Sequence, residues 1–117
     1  MSAIDKIYSN EAGIAFYWKK EDKKVTPKIQ LVFRDMGFLL TINELKDFSG
    51  FCENTKNTQC CSFCDSYPHC RSFLLRTPSD KIDIAISKEE LYQFHELIKG
   101  TIFRVELKNW IDHTSFN

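Results

Sequence analysis

The alternation of apolar and polar positions predicts three strands in the first part of the chain. Residues 12–19 (AGIAFYWK) and 28–34 (KIQLVFR) are rich in β-branched and aromatic residues, which favour strands. A charged loop joins them, and a short turn at residues 35–37, in which Gly37 supplies a positive φ, leads to a third strand at residues 38–40. The period of two predicts that one face of the second strand carries Ile29, Leu31 and Phe33.

A helix is predicted to follow these strands. Thr41 and Glu44 have the spacing of a capping box, in which the hydroxyl accepts from a backbone amide three residues on and the carboxylate accepts from the cap's own amide. The helix runs to about residue 54, with Gly50 weakening it slightly. Its predicted apolar stripe consists of Leu45, Phe48 and Cys52.

The second part of the chain repeats this order of signals. Strands are predicted at residues 71–76 and 82–86, joined by a turn at residues 77–80 that contains a proline. Ser87 and Glu90 then form a second capping box, 46 residues after the first. The predicted apolar stripe of this second helix consists of Leu91, Phe94 and Ile98.

We therefore predict an α+β fold and a single domain over residues 1–117. Two hairpin–helix units, about 12–54 and 71–108, would form a pseudo-repeat with a mainly antiparallel, shared sheet and both helices on one face. The end of the second unit is ambiguous. Gly100 could end the helix and leave a strand at 101–107, or an apolar stripe could continue a helix through the glycine. The helical alternative is preferred.

This arrangement resembles that of a family of short uncharacterised cytoplasmic proteins of Bacteroidota bacteria. The shared plan is an opening strand (residues 13–16 here), a strand–turn–strand leading into [Thr/Ser]-x-x-Glu-[Leu/Phe], a variable middle, a strand with Thr-Pro, and a second Ser-x-x-Glu-Leu helix. The resemblance covers residues 12–108 and implies a bacterial cytoplasmic setting but no activity. Members often carry a cysteine pair near the first strand. Residues 16–20 contain no cysteine, so the resemblance implies no thiol role for residues 52–70.

Composition narrows the range of functions. The 16 basic and 16 acidic residues cancel, whereas nucleic-acid-binding domains usually carry a basic excess. No apolar run reaches the roughly 20 residues that cross a membrane, and no secretory leader is recognisable. The sequence therefore favours a cytoplasmic protein with reduced thiols, and with no nucleic-acid or membrane partner. No P-loop, dinucleotide fingerprint or His-Glu-x-x-His motif is present, which argues against several enzyme classes.

The candidate chemistry lies in the cysteine-rich connection at residues 55–70. All five cysteines occur within 19 residues, an odd number that a complete set of internal disulfides cannot use. The spacing of Cys61 and Cys64 is that of a zinc knuckle, because two thiolates two residues apart can bind one tetrahedral ion. The candidate zinc ligands are Cys61, Cys64, Cys70 and His69, with Cys60 or Cys52 as alternates.

Two other interpretations of these cysteines stay open. One is a reactive thiol, for which Cys70 has a neighbouring His69 and Arg71 in sequence. The other is that they are structural thiols, and Cys52 lies on the apolar stripe of its helix, where a buried cysteine behaves as a small apolar residue. His95 lies near the stripe of the second helix, which predicts a core or rim position rather than a ligand.

The sequence as a whole favours a small, non-enzymatic interaction or adaptor domain, with stabilisation by zinc as an open possibility. The alternative is a thiol-dependent redox or metal-handling protein. The sequence is compatible with an unknown protein partner, and a homodimer is compatible with a half-polar sheet whose second face is available to another subunit.

Overall fold

The computed structural model describes residues 3–19, 28–58, 70–71 and 73–114. These residues form an α+β fold, as predicted, in which every strand pairing is antiparallel. The elements in chain order are β1 (Ile4–Ser9), β2 (Gly13–Trp18), β3 (Ile29–Phe33), β4 (Met36–Leu40), α1 (Ile42–Lys56), β5 (Phe73–Arg76), β6 (Asp83–Ile86) and α2 (Lys88–Thr114).

The first four strands form one sheet in the order β1-β2-β3-β4. Its inner face carries the predicted residues of β3, which are at most 1% exposed: Ile29, Leu31 and Phe33. Gly13 opens β2 opposite Phe33, and a Cβ at this position would overlap the carbonyl of Val32. The glycine therefore permits the close approach of these two strands.

The turn between β3 and β4 differs from the prediction. It consists of Arg34 and Asp35, and the positive φ belongs to Arg34 (53°). Gly37 has no positive φ and instead pairs with Val32 inside the ladder, so β4 begins at Met36. The strained residue is held by its side chain, because Arg34 donates to the backbone oxygen of Ala85 at 3.1 Å.

The prediction that both hairpins share one sheet is wrong. Strands β5 and β6 pair only with each other among the described residues and form a separate two-stranded sheet. One face of this small sheet enters the core through Phe73, Leu75, Ile84 and Ile86, and β5 packs against α1. Burial of alternate side chains thus suffices to place the second hairpin without ladder hydrogen bonds to the first.

Strand β1 was not predicted. Its register against β2 shifts between Lys6 and Tyr8, which places Ile7 at a bulge and interrupts the alternation on which strand prediction depends. The bulge turns Tyr8 toward α2, where its hydroxyl donates to Glu96 at 2.5 Å. Strand β1 therefore ties the sheet edge to the second helix.

Both predicted capping boxes are present. The amide of Glu44 donates to the Thr41 hydroxyl at 3.1 Å, and the Thr41 amide donates to the Glu44 carboxylate at 2.9 Å. The corresponding distances for Ser87 and Glu90 are 3.1 and 3.0 Å. All residues of the two predicted stripes are fully buried, with 0% exposure: Leu45, Phe48, Cys52, Leu91, Phe94 and Ile98.

Helix α2 continues through Gly100, which confirms the helical alternative for residues 101–107. The glycine has a specific reason to be there, because a Cβ at this position would overlap the ring of Tyr8. The smallest residue thus lets β1 lie directly on the helix, at a cost of roughly 1 kcal/mol in helix propensity. The helix reaches 27 residues, or about 40 Å at 1.5 Å per residue.

A single core cluster draws residues from both sheets and both helices. At its centre the rings of Phe48 and Phe94 meet edge to face, with centroids 5.1 Å apart. The order of hairpin, capping box and helix occurs twice, but the two hairpins lie in different sheets. A true internal repeat therefore stays a prediction.

Candidate functional site

The structure places only two of the candidate zinc ligands. Cys52 is fully buried in the core cluster, which confirms its predicted structural position. Burial raises the pKa of its thiol to about 12, whereas zinc binds the thiolate. Cys70 is exposed. The other candidates, Cys60, Cys61, Cys64 and His69, lie outside the described residues.

The described ranges contain no group of three or more His, Cys, Asp or Glu side chains arranged to hold a metal ion. The described part of the chain therefore does not test the predicted zinc site. It stays a prediction that rests on residues 60–70.

A polar cluster lies between the two helices around His95, whose side chain is only 2% exposed. Its Nε2 lies 3.1 Å from the Ser49 hydroxyl of α1. The carboxylate of Glu53 lies 3.8 Å from Nδ1, and Nδ1 has no hydrogen-bond partner. The prediction of a core or rim histidine is confirmed. The serine, histidine and carboxylate resemble a hydrolytic triad in composition, but the imidazole is closed to substrate by burial.

The charge state of His95 follows from its surroundings. Burial lowers its pKa to about 4, with smaller contributions in the same direction from Lys56 and Lys99 and an opposing one from Glu53. The imidazole is therefore neutral at neutral pH, and a neutral ring can sit between packed helices without a counter-ion. Its role here is to fill and align the helix interface.

The start of α2 carries a second polar cluster. The Glu90 carboxylate of the capping box lies 3.3 Å from the guanidinium groups of both Arg34 and Arg71. Partial burial raises the pKa of Glu90, but hydrogen bonds from Ser87 and the two arginine charges outweigh it and hold the pKa below its usual value. The cluster connects the β3–β4 turn and Arg71, which precedes β5 in the chain, to α2. Its arginines are engaged by this carboxylate, so its role is structural.

The described surface also carries a line of exposed apolar side chains at the C-terminal end of α2. We call this feature the C-terminal stripe, and its members with their exposed fractions are Phe103 (61%), Leu107 (40%), Trp110 (65%) and Ile111 (47%). The spacing of four and then three residues from Phe103 through Leu107 to Trp110 puts these side chains on one face of the helix. The buried Val105 lies on the opposite face, toward the core.

Beyond Val105, the described part of α2 has no buried residue. Every residue from Glu106 to Asp112 is exposed, whereas α2 between Leu91 and Val105 alternates between buried and exposed positions. Helix α1 covers the earlier part, as marked by Lys56 over the Tyr92 ring and by the ion pair of Lys46 with Glu106 at 3.0 Å. The two helical turns after Val105 thus carry large apolar side chains that do not pack into the core.

Other exposed apolar residues are more scattered. Trp18 and Leu39 are about half exposed on the outer face of the four-stranded sheet, and Leu74 is 67% exposed on β5. The indole of Trp18 packs edge to face on Phe16 and donates to Gln30 at 3.0 Å. Phe16 itself is 7% exposed, so these aromatics of β2 pack against each other.

Comparison of the chain with protein-family models, curated proteins and solved structures finds no match. Within the described residues, neither helix combines the length and the apolar character that crossing a bilayer would require.

The C-terminal stripe was not predicted from the sequence, because the apolar series recognised there lies on the other face of the same helix. Ile98, Ile102 and Val105 mark the continuation of the core face, and all three are accounted for by core packing. The signal that would have revealed the stripe is a second apolar series on one helix. A helix that is apolar on two faces needs two packing partners.

Proposed function

We propose that this protein is a small, non-enzymatic cytosolic interaction domain that binds a helical segment of a protein partner through the C-terminal stripe of α2. The observation that carries the proposal is the 61% and 65% exposure of Phe103 and Trp110 on one face of a helix. Large exposed apolar patches on folded proteins mark interaction surfaces, and aromatic residues dominate binding hot spots.

A helix is the partner element that this geometry fits. The series Phe103, Leu107 and Trp110 has the four-and-three spacing of the seam between paired helices. A partner helix laid along it would contact all three side chains at once. Its apolar face would also cover the apolar side chains that are exposed beyond Glu106.

Among the described residues, the state of the two buried groups with potential chemistry favours the interaction function over catalysis. His95 is buried and neutral beside Ser49, and the Cys52 thiol is buried with a raised pKa. Neither group can meet a substrate without separation of the two helices. A bacterial cytoplasmic setting, as the family resemblance implies, belongs to the same proposal.

Site-specific photocrosslinking in living cells tests the proposal. A photoreactive residue in place of Phe103 is expected to give discrete adducts, and the same residue in place of Leu74, which is 67% exposed on β5, is not. The adduct partner, once purified, should bind the wild-type chain saturably and should bind Leu107→Glu at least about tenfold more weakly. Equal labelling from both positions, or equal binding by both proteins, would reject the stripe as the site.

The internal repeat is part of the same proposal. Phe48 and Phe94 occupy equivalent positions of the two predicted units and touch each other, and so do Ser49 and His95. Contacts between equivalent positions are what a two-fold relation between two copies generates near its axis. We accordingly propose that α1 and α2 are related units that pack about a pseudo-two-fold axis.

Zinc binding by residues 60–70 remains a second candidate property, supported by the knuckle spacing of Cys61 and Cys64. Elemental analysis of protein purified without an affinity tag should find about one zinc ion per chain if the site exists. A chelator should then lower the melting temperature. Metal-free protein with an unchanged melting temperature would remove zinc from the proposal and leave the thiol-redox alternative to be tested by alkylation rates.

A further inference from the structure

We infer that the partner of the C-terminal stripe is a second copy of this chain, bound antiparallel along α2 to form a homodimer. This inference rests on the proposed function and names its partner. Its starting point is the self-complementary character of the stripe. Phe103, Leu107 and Trp110 form a helix-pairing seam, and each copy carries the same seam on an equally exposed helix. Closed two-fold pairing of identical surfaces is the commonest form of oligomer.

The charges around the stripe fit a second copy of this chain better than a strongly charged partner. The residues that flank the stripe carry both signs, with Arg104 positive on one side and Glu106 negative on the other. The whole chain has 16 basic and 16 acidic residues, so two copies approach without net repulsion. A surface built for a strongly basic or acidic partner would instead show an excess of one sign.

The shape of the molecule favours the antiparallel arrangement. Helix α2 is the longest element, and the principal extents of the molecule are 54 × 30 × 26 Å. Lys46 lies one turn from the start of α1 and contacts Glu106, so α2 continues about two turns farther with at most one turn of α1 beside it. An antiparallel pair places the two bodies at opposite ends of the seam, whereas a parallel pair would bring them together.

The area indicates a weak dimer. An aromatic side chain carries about 150–250 Å² of surface, so Phe103 and Trp110 at their exposed fractions present on the order of 200–300 Å² per copy. With Leu107, Ile111 and the flanking stems, the two copies together bury about 1,000 Å², the lower limit of a specific interface. We expect a dissociation constant in the micromolar range and rapid exchange.

Sedimentation equilibrium of the full chain tests the inference. The apparent mass should rise from 13.7 kDa toward twice that value as the concentration increases through the micromolar range. Leu107→Glu and, independently, Trp110→Glu should weaken the association roughly tenfold or more. Leu74→Glu, which changes an equally apolar and exposed residue on β5, should leave it unchanged. Melting curves of each variant confirm that it is folded.

The outcomes separate this inference from the proposed function. Wild-type protein that stays monomeric at high micromolar concentration overturns the homodimer, as does dimerisation that survives both glutamate substitutions or is equally lost in Leu74→Glu. If photocrosslinking at position 103 then captures a different protein whose purified form binds through the stripe, the proposed function stands without the homodimer. If it captures only the chain itself, both hold.

Discussion

Helix α1 and helix α2 each follow a strand hairpin and begin at a capping box, yet α1 ends after 15 residues and α2 continues for 27. The Thr41 cap of α1 is exposed, whereas the Ser87 cap of α2 is 1% exposed and its Glu90 partner contacts two arginines. The same local signal therefore operates in two environments. Hydrogen bonds at the cap therefore decide where a helix begins, while its tertiary neighbours decide how far it extends and how much each residue contributes to stability.

The aromatic pair at the centre of the comparison should give the largest effect. The ring centroid of Phe94 lies 4.4 Å from that of Phe33 and 5.1 Å from that of Phe48. Both Phe48 and Phe94 are fully buried. Phe48→Ala and Phe94→Ala should each cost about 3–5 kcal/mol of unfolding free energy. Because the rings touch, the double variant should lose less than the sum by about 0.5–3 kcal/mol.

Urea unfolding followed by far-ultraviolet circular dichroism measures these free energies. Strict additivity would mean that the two rings act independently, and it would remove the contact on which the pseudo-two-fold relation rests.

Acidification should expose the next difference, since α1 carries Ser49 at the position 46 residues before His95 of α2. The pKa of His95 falls from 6.5 to about 4 on folding, so the unfolded chain binds this proton first. Its contribution to stability is complete above about pH 6.5 and declines as the pH falls toward 4, with a slope of at most about 1.4 kcal/mol per pH unit.

Thermal unfolding between neutral pH and pH 4 checks this expectation. His95→Gln should remove this part of the pH dependence, whereas Ser49→Ala, which keeps the titrating ring, should retain it. An identical pH profile for wild type and His95→Gln would contradict a buried neutral imidazole.

Each helix also contains one internal glycine, and the two should respond oppositely to alanine. Nothing lies within 4 Å of a Cβ placed at Gly50, so Gly50→Ala should stabilise the protein by about 0.5–1 kcal/mol through helix propensity. At Gly100 the same methyl group would overlap the ring of Tyr8, which is held by its bond to Glu96. Gly100→Ala should therefore destabilise by about 1–3 kcal/mol.

Melting temperatures of the two variants supply the measurement, and Gly100→Ala combined with Tyr8→Ala is the control. Without the Tyr8 ring, the methyl group that Gly100→Ala adds should no longer destabilise the protein, and it should be neutral or stabilising. Stabilisation by Gly100→Ala alone would show that β1 does not lie against α2.

Much of the local structure follows from the sequence, because the forces responsible act over a few residues. Both capping boxes, the alternation in β3 and the apolar stripes of the helices depend on spacings of two, three or four residues, and all are present. The separate second sheet, the bulged β1 and the turn at Arg34 depend on contacts between distant segments. No local pattern records that Arg34 will find the carbonyl of Ala85, 51 residues away.

Some features of the candidate site likewise follow from local sequence spacing, and others depend on contacts between distant segments. The core position of Cys52 and the buried position of His95 follow from helical spacing, since each lies on or beside an apolar stripe. The C-terminal stripe does not, because whether Phe103 faces the core or solvent depends on where α1 and β1 leave α2 uncovered. The cysteines from 60 to 64 form a sequence pattern whose geometry lies outside the described residues.

The caps themselves should give the smallest difference and the sharpest comparison, because the hydrogen bonds are the same and only burial differs. Ser87→Ala would leave the amide of Glu90 without a partner in a buried setting and should cost about 1–2 kcal/mol. Thr41→Ala would leave the amide of Glu44 to water and should cost about 0.5–1 kcal/mol.

Chemical unfolding of the two alanine variants, with Ser87→Thr and Thr41→Ser as controls that keep the hydroxyl, tests this ordering. The controls should lie within about 0.5 kcal/mol of wild type, because they retain the hydrogen bond. Equal losses for the two alanine variants would mean that burial adds nothing to the cap. The different surroundings of α1 and α2 would then concern only their lengths and their C-terminal ends.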